Sequence, residues 1–230
     1  MKSTFKQMGN YLAHLDRSLL KWAHQHDFRN PQLIKLLIRI GDAPFWILSV
    51  VFFAAAGELF GNMRLENISI LLMFALIVSN IIFNPIKIHF KRLRPYANKD
   101  LQKKLGIQIT NRDLSTGSKE SESFPSGHVL WTSVSVIVIC SQLGWVSVLV
   151  LGWLIPAILF LRPYLGVHHP SDALAGLLLG IAVSALTIYL SPSLINLLRY
   201  VKEHYLLIYV YWLCITVFLF IGFKLWSRRV

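Results

Sequence analysis

The stretch ENISILLMFALIVSNIIFNPIKIHFKRLRP, residues 66–95, decides the fold. Residues 66–86 carry a single charge, Glu66, and are as long as the roughly 20 apolar residues a helix needs to cross a bilayer. At Lys87 the chain turns basic, where such a helix would leave the membrane. Five further apolar runs flank this one, at 44–60, 129–143, 145–161, 173–190 and 206–225, with Gly, Pro and charges between them. The shorter runs reach spanning length through their flanking loops. Apolar residues make up 55% of the 230, charged residues only 15%, and the mean hydropathy is +0.55. A soluble helical bundle is excluded because the runs lack the polar faces it needs. The expected fold is all-α: an integral-membrane six-helix bundle over residues 44–230.

Residues 1–43 are different. They hold no apolar core of signal-peptide length. LDRSLLKWAHQHDF (15–28) and PQLIKLLIRIG (31–41) place apolar residues at helical spacing among Lys, Arg and His. Two readings fit: amphipathic helices lying at the membrane interface, or helices packed on the first spans. The two cysteines, Cys140 and Cys214, fall in separate apolar runs and read as small buried hydrophobes, not as a disulfide or a metal site.

The net charge is +12. With six spans, the N-terminus, the 87–128 loop, the 162–172 loop and the C-terminus share one side. Only Arg64, Arg199 and Lys202 fall on the other, against the remaining 20 of the 23 Lys and Arg. The positive-inside rule puts the rich side in the cytosol. No basic soluble domain exists to bind nucleic acid.

Three stretches on that side can hold chemistry. In KIHFKRLRP (87–95), Lys87 and Arg94 are seven apart, about two helical turns, and share a face. In SFPSGHVLW (123–131), Ser126, Gly127 and His128 open a new helix, where backbone N–H groups and the dipole favour an anion. In LRPYLGVHHPSDALAG (161–176), Arg162, His168, His169 and Asp172 lie within one short connection. Arg-Pro-Tyr occurs twice, at 94–96 and 162–164, as two similar helix-end corners. A charged cluster converging at a membrane face marks a functional site.

The cluster suits a phosphate. Three cations and helix-end amides would stabilise a phosphoryl-transfer transition state. A histidine can attack phosphorus, Asp172 can orient one of the histidines, and a second histidine can protonate the leaving oxygen. A metal site would want more carboxylates or thiolates near the histidines than these loops offer.

The set K-x6-RP (87–95), PSGH (125–128) and R-x5-H-x3-D (162–172), in this order, resembles the type 2 phosphatidic acid phosphatase superfamily of membrane lipid phosphatases, over roughly residues 44–190. Each motif is weak alone; the ordered set is specific. The resemblance implies His168 as the nucleophile, forming a phosphohistidine, Asp172 as the residue that orients it, and His128 as general acid and then base. It implies Lys87, Arg94, Ser126, Gly127 and Arg162 as the phosphate holders, and no metal or other cofactor. Where the family usually has Ser before the third-motif arginine, this chain has Leu161, so one hydroxyl donor is missing. His169 has no counterpart and is expected to point elsewhere.

The expected function is hydrolysis of a lipid phosphate or diphosphate of the undecaprenyl diphosphate, phosphatidylglycerophosphate, phosphatidic acid or lipid A type, in a multi-pass plasma (bacterial inner) membrane. The alternatives are a phosphotransferase with the same phosphohistidine and a non-enzymatic lipid-binding or transport protein. The expected partners are the lipid phosphate and membrane lipids. The resemblance favours a site on the outer side, where charge counting favours the cytosol. The polar 96–122 loop has the length and position of a lid.

Overall fold

The computed structural model describes residues 2–26, 30–113 and 122–227. The described residues are helical, apart from connections and one isolated bridge between Leu93 and Glu122. Two helices precede the first span. Helix α1 is Lys2–Gln25. Helix α2, Pro31–Gly41, starts with proline at its first position, and the Asn30 side chain accepts from the Leu33 N–H. Asp42 then caps the next helix by accepting from the Ala43 N–H, so a sharp break separates α2 from α3, Ala43–Phe60. Gly61 ends α3 at φ 59°, and the Asn62 side chain caps α4, Met63–Phe90.

After α4 come a single 3-10 turn, Pro95–Ala97, and α5, Lys99–Leu105. The bundle resumes with α6, Gly127–Leu143, then α7, Trp145–Leu151, α8, Leu154–Tyr164, α9, Pro170–Glu203, and α10, Leu207–Ser227. Among the described residues five segments are long and apolar enough to cross a membrane: α3, α4, the α7–α8 pair (Trp145–Tyr164), α9 and α10. Helix α6 has 17 residues, about 25 Å at 1.5 Å per residue. The six expected spans thus appear as five full-length segments and one shorter helix.

Helix α6 ends at Gly144, with φ 83°, and is the central helix. Val129, Leu130, Thr132, Ser133, Val134, Ser135, Val136, Val138 and Ile139 are all buried, so it meets protein nearly all round. Small residues let α9 approach it. A side chain at Gly180 would strike the Ser133 hydroxyl, and one at Gly176 the Ser126 carbonyl. On the outside, Phe52, Leu149, Leu178 and Phe220 are exposed on α3, α7, α9 and α10, the faces a bilayer would cover.

Local departures have local causes. The run expected as one span at 145–161 is broken at Gly152 and Trp153. Pro156 lacks an N–H, and its ring crowds the carbonyl four residues back, which is Gly152. Helix α9 runs 13 residues past the apolar run that ended at 190, through Pro192. There the Ser191 hydroxyl donates to the Ile188 carbonyl that Pro192 cannot reach, at 2.8 Å. The two Arg-Pro-Tyr corners differ. Helix α4 has already ended at Phe90, with Lys91 at φ 42° and Pro95 opening the 3-10 turn, whereas Pro163 sits inside the last turn of α8. Cys140 is half-buried and Cys214 is exposed on α10, so the second is not the buried hydrophobe expected.

Both N-terminal helices pack on the bundle, although not on the first spans alone. Helix α1 lies against α8 and α9, and α2 against α6, α8 and α3. Leu20 and Ala23 of α1 and Leu37 and Ile38 of α2 are buried. At the opposite end, Lys202 of α9 bridges Glu58 of α3 and Glu66 of α4 at 2.8 and 2.9 Å. These helix ends therefore meet on the side away from the three motifs, as the span count requires.

Candidate active site at one end of the bundle

The three motif stretches are laced together by backbone. The Ser123 N–H donates to the Arg92 carbonyl (2.7 Å), the Ser126 N–H to the Asp172 carbonyl (3.0 Å), and the Tyr96 N–H to the Gly166 carbonyl (3.1 Å). Gly166 has φ 76°, and a side chain there would meet the Thr110 carbonyl. The tight turn after α8 therefore needs glycine on both counts.

His168 sits at the centre of this lacing, 3% exposed. Its Nδ1 lies 2.6 Å from the Ser123 carbonyl. A carbonyl only accepts, so Nδ1 carries the proton and Nε2 is left with its lone pair. Burial, and then the charges of Arg162, Arg94 and His128, hold this imidazole well below the ordinary histidine range. It is therefore neutral at neutral pH, the form a nucleophile needs.

Two of the cations at the site, Arg94 and Arg162, are equally buried. Arg94 is 2% exposed and donates through Nε to the Glu122 carbonyl at 3.2 Å. Arg162 is 1% exposed and gives Nη1 to Asp113 at 2.8 Å. Its Nε and the Ser126 hydroxyl are buried and make no hydrogen bond among the described residues. They are donors available to an anion. Lys87 lies over the Phe83 ring, 5.4 Å from its centre. Phe83 packs on Trp131 and closes against Gly127, where a side chain would meet it at 3.1 Å. Lys87 thus stands beside the PSGH turn.

His128, in the first turn of α6, has Nε2 3.7 Å from an Asp42 carboxylate oxygen. The junction of α2 and α3 backs it, since a side chain at Gly41 would reach its ring at 3.3 Å.

The expected Asp172–His168 contact is not made. One Asp172 oxygen takes Arg92 Nη1; the other takes the Ser123 hydroxyl and, at 2.9 Å, the His169 N–H. Asp172 is in the first turn of α9 and bonds back to its own helix start, while His168 precedes the cap. Spacing of four along a helix does not apply to a residue outside it. Asp172 therefore reaches His168 one step removed, through Ser123. His169 caps α9 and turns its Nε2 to the Leu93 carbonyl, at 3.2 Å. Burial first, then Arg92, lowers its pKa.

Sequence reasoning missed Ser123, Arg92, Asp16, Asp42 and Asp113. Asp16 of α1 accepts from Arg92 Nη2 (2.8 Å), from the Ser171 N–H (2.7 Å) and from the Ser171 hydroxyl (2.6 Å). The described part of the 96–122 loop covers the third motif: the Arg112 N–H donates to the Leu165 carbonyl, Ile109 is buried, and Asp113 takes Arg162. The rest of that loop, 114–121, lies outside the described residues. Among the described residues no group of three or more His, Cys, Asp or Glu is placed to hold a metal ion.

The family model described as the PAP2 superfamily matches residues 69–196, more than half of the chain and all three motif stretches. The chain belongs to the PAP2 superfamily. As a member it is a metal-independent membrane lipid phosphatase. No curated protein matches the chain. Two solved structures share the PAP2 fold. One is the transmembrane PAP2-type phosphatidylglycerolphosphate phosphatase of Bacillus subtilis: TM-score 0.58, 23% identity, 80% of this chain and 88% of that one covered. The other is LpxE of Aquifex aeolicus: TM-score 0.54, 19% identity, coverage 75% and 93%. Helices α1, α2 and α3 precede the matched PAP2 segment, and α10 follows it.

Proposed function

We propose that the enzyme releases phosphate from a lipid phosphate or diphosphate through a phosphohistidine on His168. The observation that carries this reading is the buried, neutral imidazole, its Nδ1 proton given to the Ser123 carbonyl, among the charges of Arg94, Arg162 and His128. Nε2 attacks phosphorus and the bond from phosphorus to the lipid oxygen breaks. Protonated His128, with an Asp42 carboxylate oxygen 3.7 Å from its Nε2, gives its proton to the lipid oxygen. Neutral His128 then takes a proton from water, whose oxygen attacks the phosphohistidine; inorganic phosphate leaves and both histidines return to their starting forms. Lys87, Arg94, Arg162, the Ser126 hydroxyl and the backbone at Gly127 hold the phosphoryl oxygens. Asp172 orients the nucleophile indirectly, through Ser123. Leu161, buried where the family usually has serine, removes one donor, and the remaining cations carry its share.

Undecaprenyl diphosphate, phosphatidylglycerophosphate, phosphatidic acid and lipid A are the substrates to compare, and the Bacillus relative makes phosphatidylglycerophosphate the first to try. Phosphate release from this panel by purified protein tests the reading. His168→Ala is expected to abolish release while Lys99→Ala, on α5, leaves it unchanged; full activity in the first variant overturns the mechanism. A lipid acceptor added to the same assay separates hydrolysis from transfer. The concentration of Lys and Arg at the site's end supports a cytosolic face, and the family likeness an outer one. A cysteine at position 99, probed with an impermeant reagent in intact cells, decides between them.

A further inference from the structure

We infer that Asp16, on the N-terminal helix, is a positioning residue of this site, so that α1 must be seated for the nucleophile to be held. The inference rests on the phosphatase reading for its activity arm only. Asp172 is fully buried, and among the described residues the cation it bonds is Arg92, half-exposed at the edge of the site. Arg92 is a forked donor used on both arms: Nη1 to Asp172 and Ser171, Nη2 to Asp16. Asp16 in turn takes both the backbone N–H and the hydroxyl of Ser171, in the first turn of α9. A continuous path runs Asp16, Arg92, Asp172, Ser123, His168. Each link is a hydrogen bond, and the last is the Ser123 carbonyl that fixes the His168 tautomer.

Two of these links are charge-assisted pairs with one partner almost or fully buried, the stronger kind of hydrogen bond. Without Asp16, the guanidinium loses the anchor that keeps its plane aimed at Asp172. Asp172 is then a buried carboxylate held by one hydroxyl and one N–H, and the Ser123 segment can shift. Helix α1 lies outside the segment matched to the family model. It is seated by Leu20 and Ala23, both buried, and by Trp22 edge-on to Phe160 of α8 at 5.7 Å.

The test compares Asp16→Asn, Asp16→Glu and Arg92→Lys with wild type in detergent. Three quantities are read: kcat and KM for the lipid phosphate that wild type turns over, the melting temperature, and the 15N signature of the His168 ring. Asp16→Asn is expected to lower kcat about tenfold or more, the loss of one buried charged hydrogen bond, with KM within about twofold. Asp16→Glu is expected to recover part of kcat, and Arg92→Lys, which replaces a fork by one point, to behave like Asp16→Asn. The His168 signal is expected to pass from the single Nδ1–H tautomer to a mixture in Asp16→Asn. A lowered melting temperature with unchanged kcat per folded molecule and an unchanged His168 signal overturns the inference and leaves Asp16 a packing residue. If wild type releases phosphate from no lipid in the panel, the phosphatase reading falls, and the ring signal still decides the role of Asp16. If Asp16→Asn does not fold, Arg92→Lys decides by the same readouts.

Discussion

His168 is held neutral by surroundings that disfavour an imidazolium: burial, and two guanidiniums and a second imidazole nearby. Each of these opposes protonation, so the imidazole stays neutral as the pH falls, as the proposed nucleophile must. The acid limb of kcat/KM, measured as initial rates on folded protein, is expected below the ordinary imidazole value of about 6.5 if His168 sets it. Ser123→Ala leaves the carbonyl in place and removes only the hydroxyl that Asp172 grips. A loss of about tenfold in kcat is expected, the worth of one buried hydrogen bond to a carboxylate; an unchanged kcat would place Asp172 outside the chemistry. Arg162→Lys keeps a charge and loses the planar donor set, with Nη1 on Asp113 and Nε for an anion. KM is expected to rise at least about tenfold, because a single ammonium cannot serve both.

At the scale of elements, the site is where it is because α6 and α9 touch. Gly176 lets the α9 backbone meet the Ser126 carbonyl, and Gly180, one turn on, meets Ser133. Gly180→Ala is expected to cost about 1–3 kcal/mol in stability through collision with the Ser133 hydroxyl. Adding Ser133→Ala, which removes that oxygen, is expected to recover part of it, a coupling read by thermal melts of the two single variants and the double. Additive losses would mean the helices do not meet there. The family motifs were legible in the sequence because they are runs of consecutive residues, each at one helix end. Their mutual hydrogen bonds were not. Asp172 sits four places after His168, and that spacing suggested a direct pair. A helix start intervened and turned the carboxylate back to its own cap, to Ser123 and to Arg92.

For the whole molecule, His24, His168 and His169 have pKa values lowered chiefly by burial. Below about pH 6.5 the unfolded chain takes protons at these positions that the folded chain refuses. Their contribution to stability is complete above that pH and is lost as the pH falls. The melting temperature in detergent is expected to drop between pH 7 and pH 5, and less steeply in His24→Gln, which leaves the site intact; a flat profile would contradict the burial. The membrane class, the six apolar segments and the end of the bundle that bears the site were determined by the sequence alone, because hydrophobic run length and the spacing of charges between runs are properties of the chain in order. The partners of the buried charges were decided only by tertiary structure. Asp16 meets Ser171 across 155 positions, Asp113 meets Arg162 across 49, and Arg92 joins Asp16 to Asp172. Along the sequence each is one more charge on an amphipathic helix, in a polar loop or in a basic run. Burial alone, which packing α1 and the 107–113 segment over the helix ends creates, makes those charges choose partners.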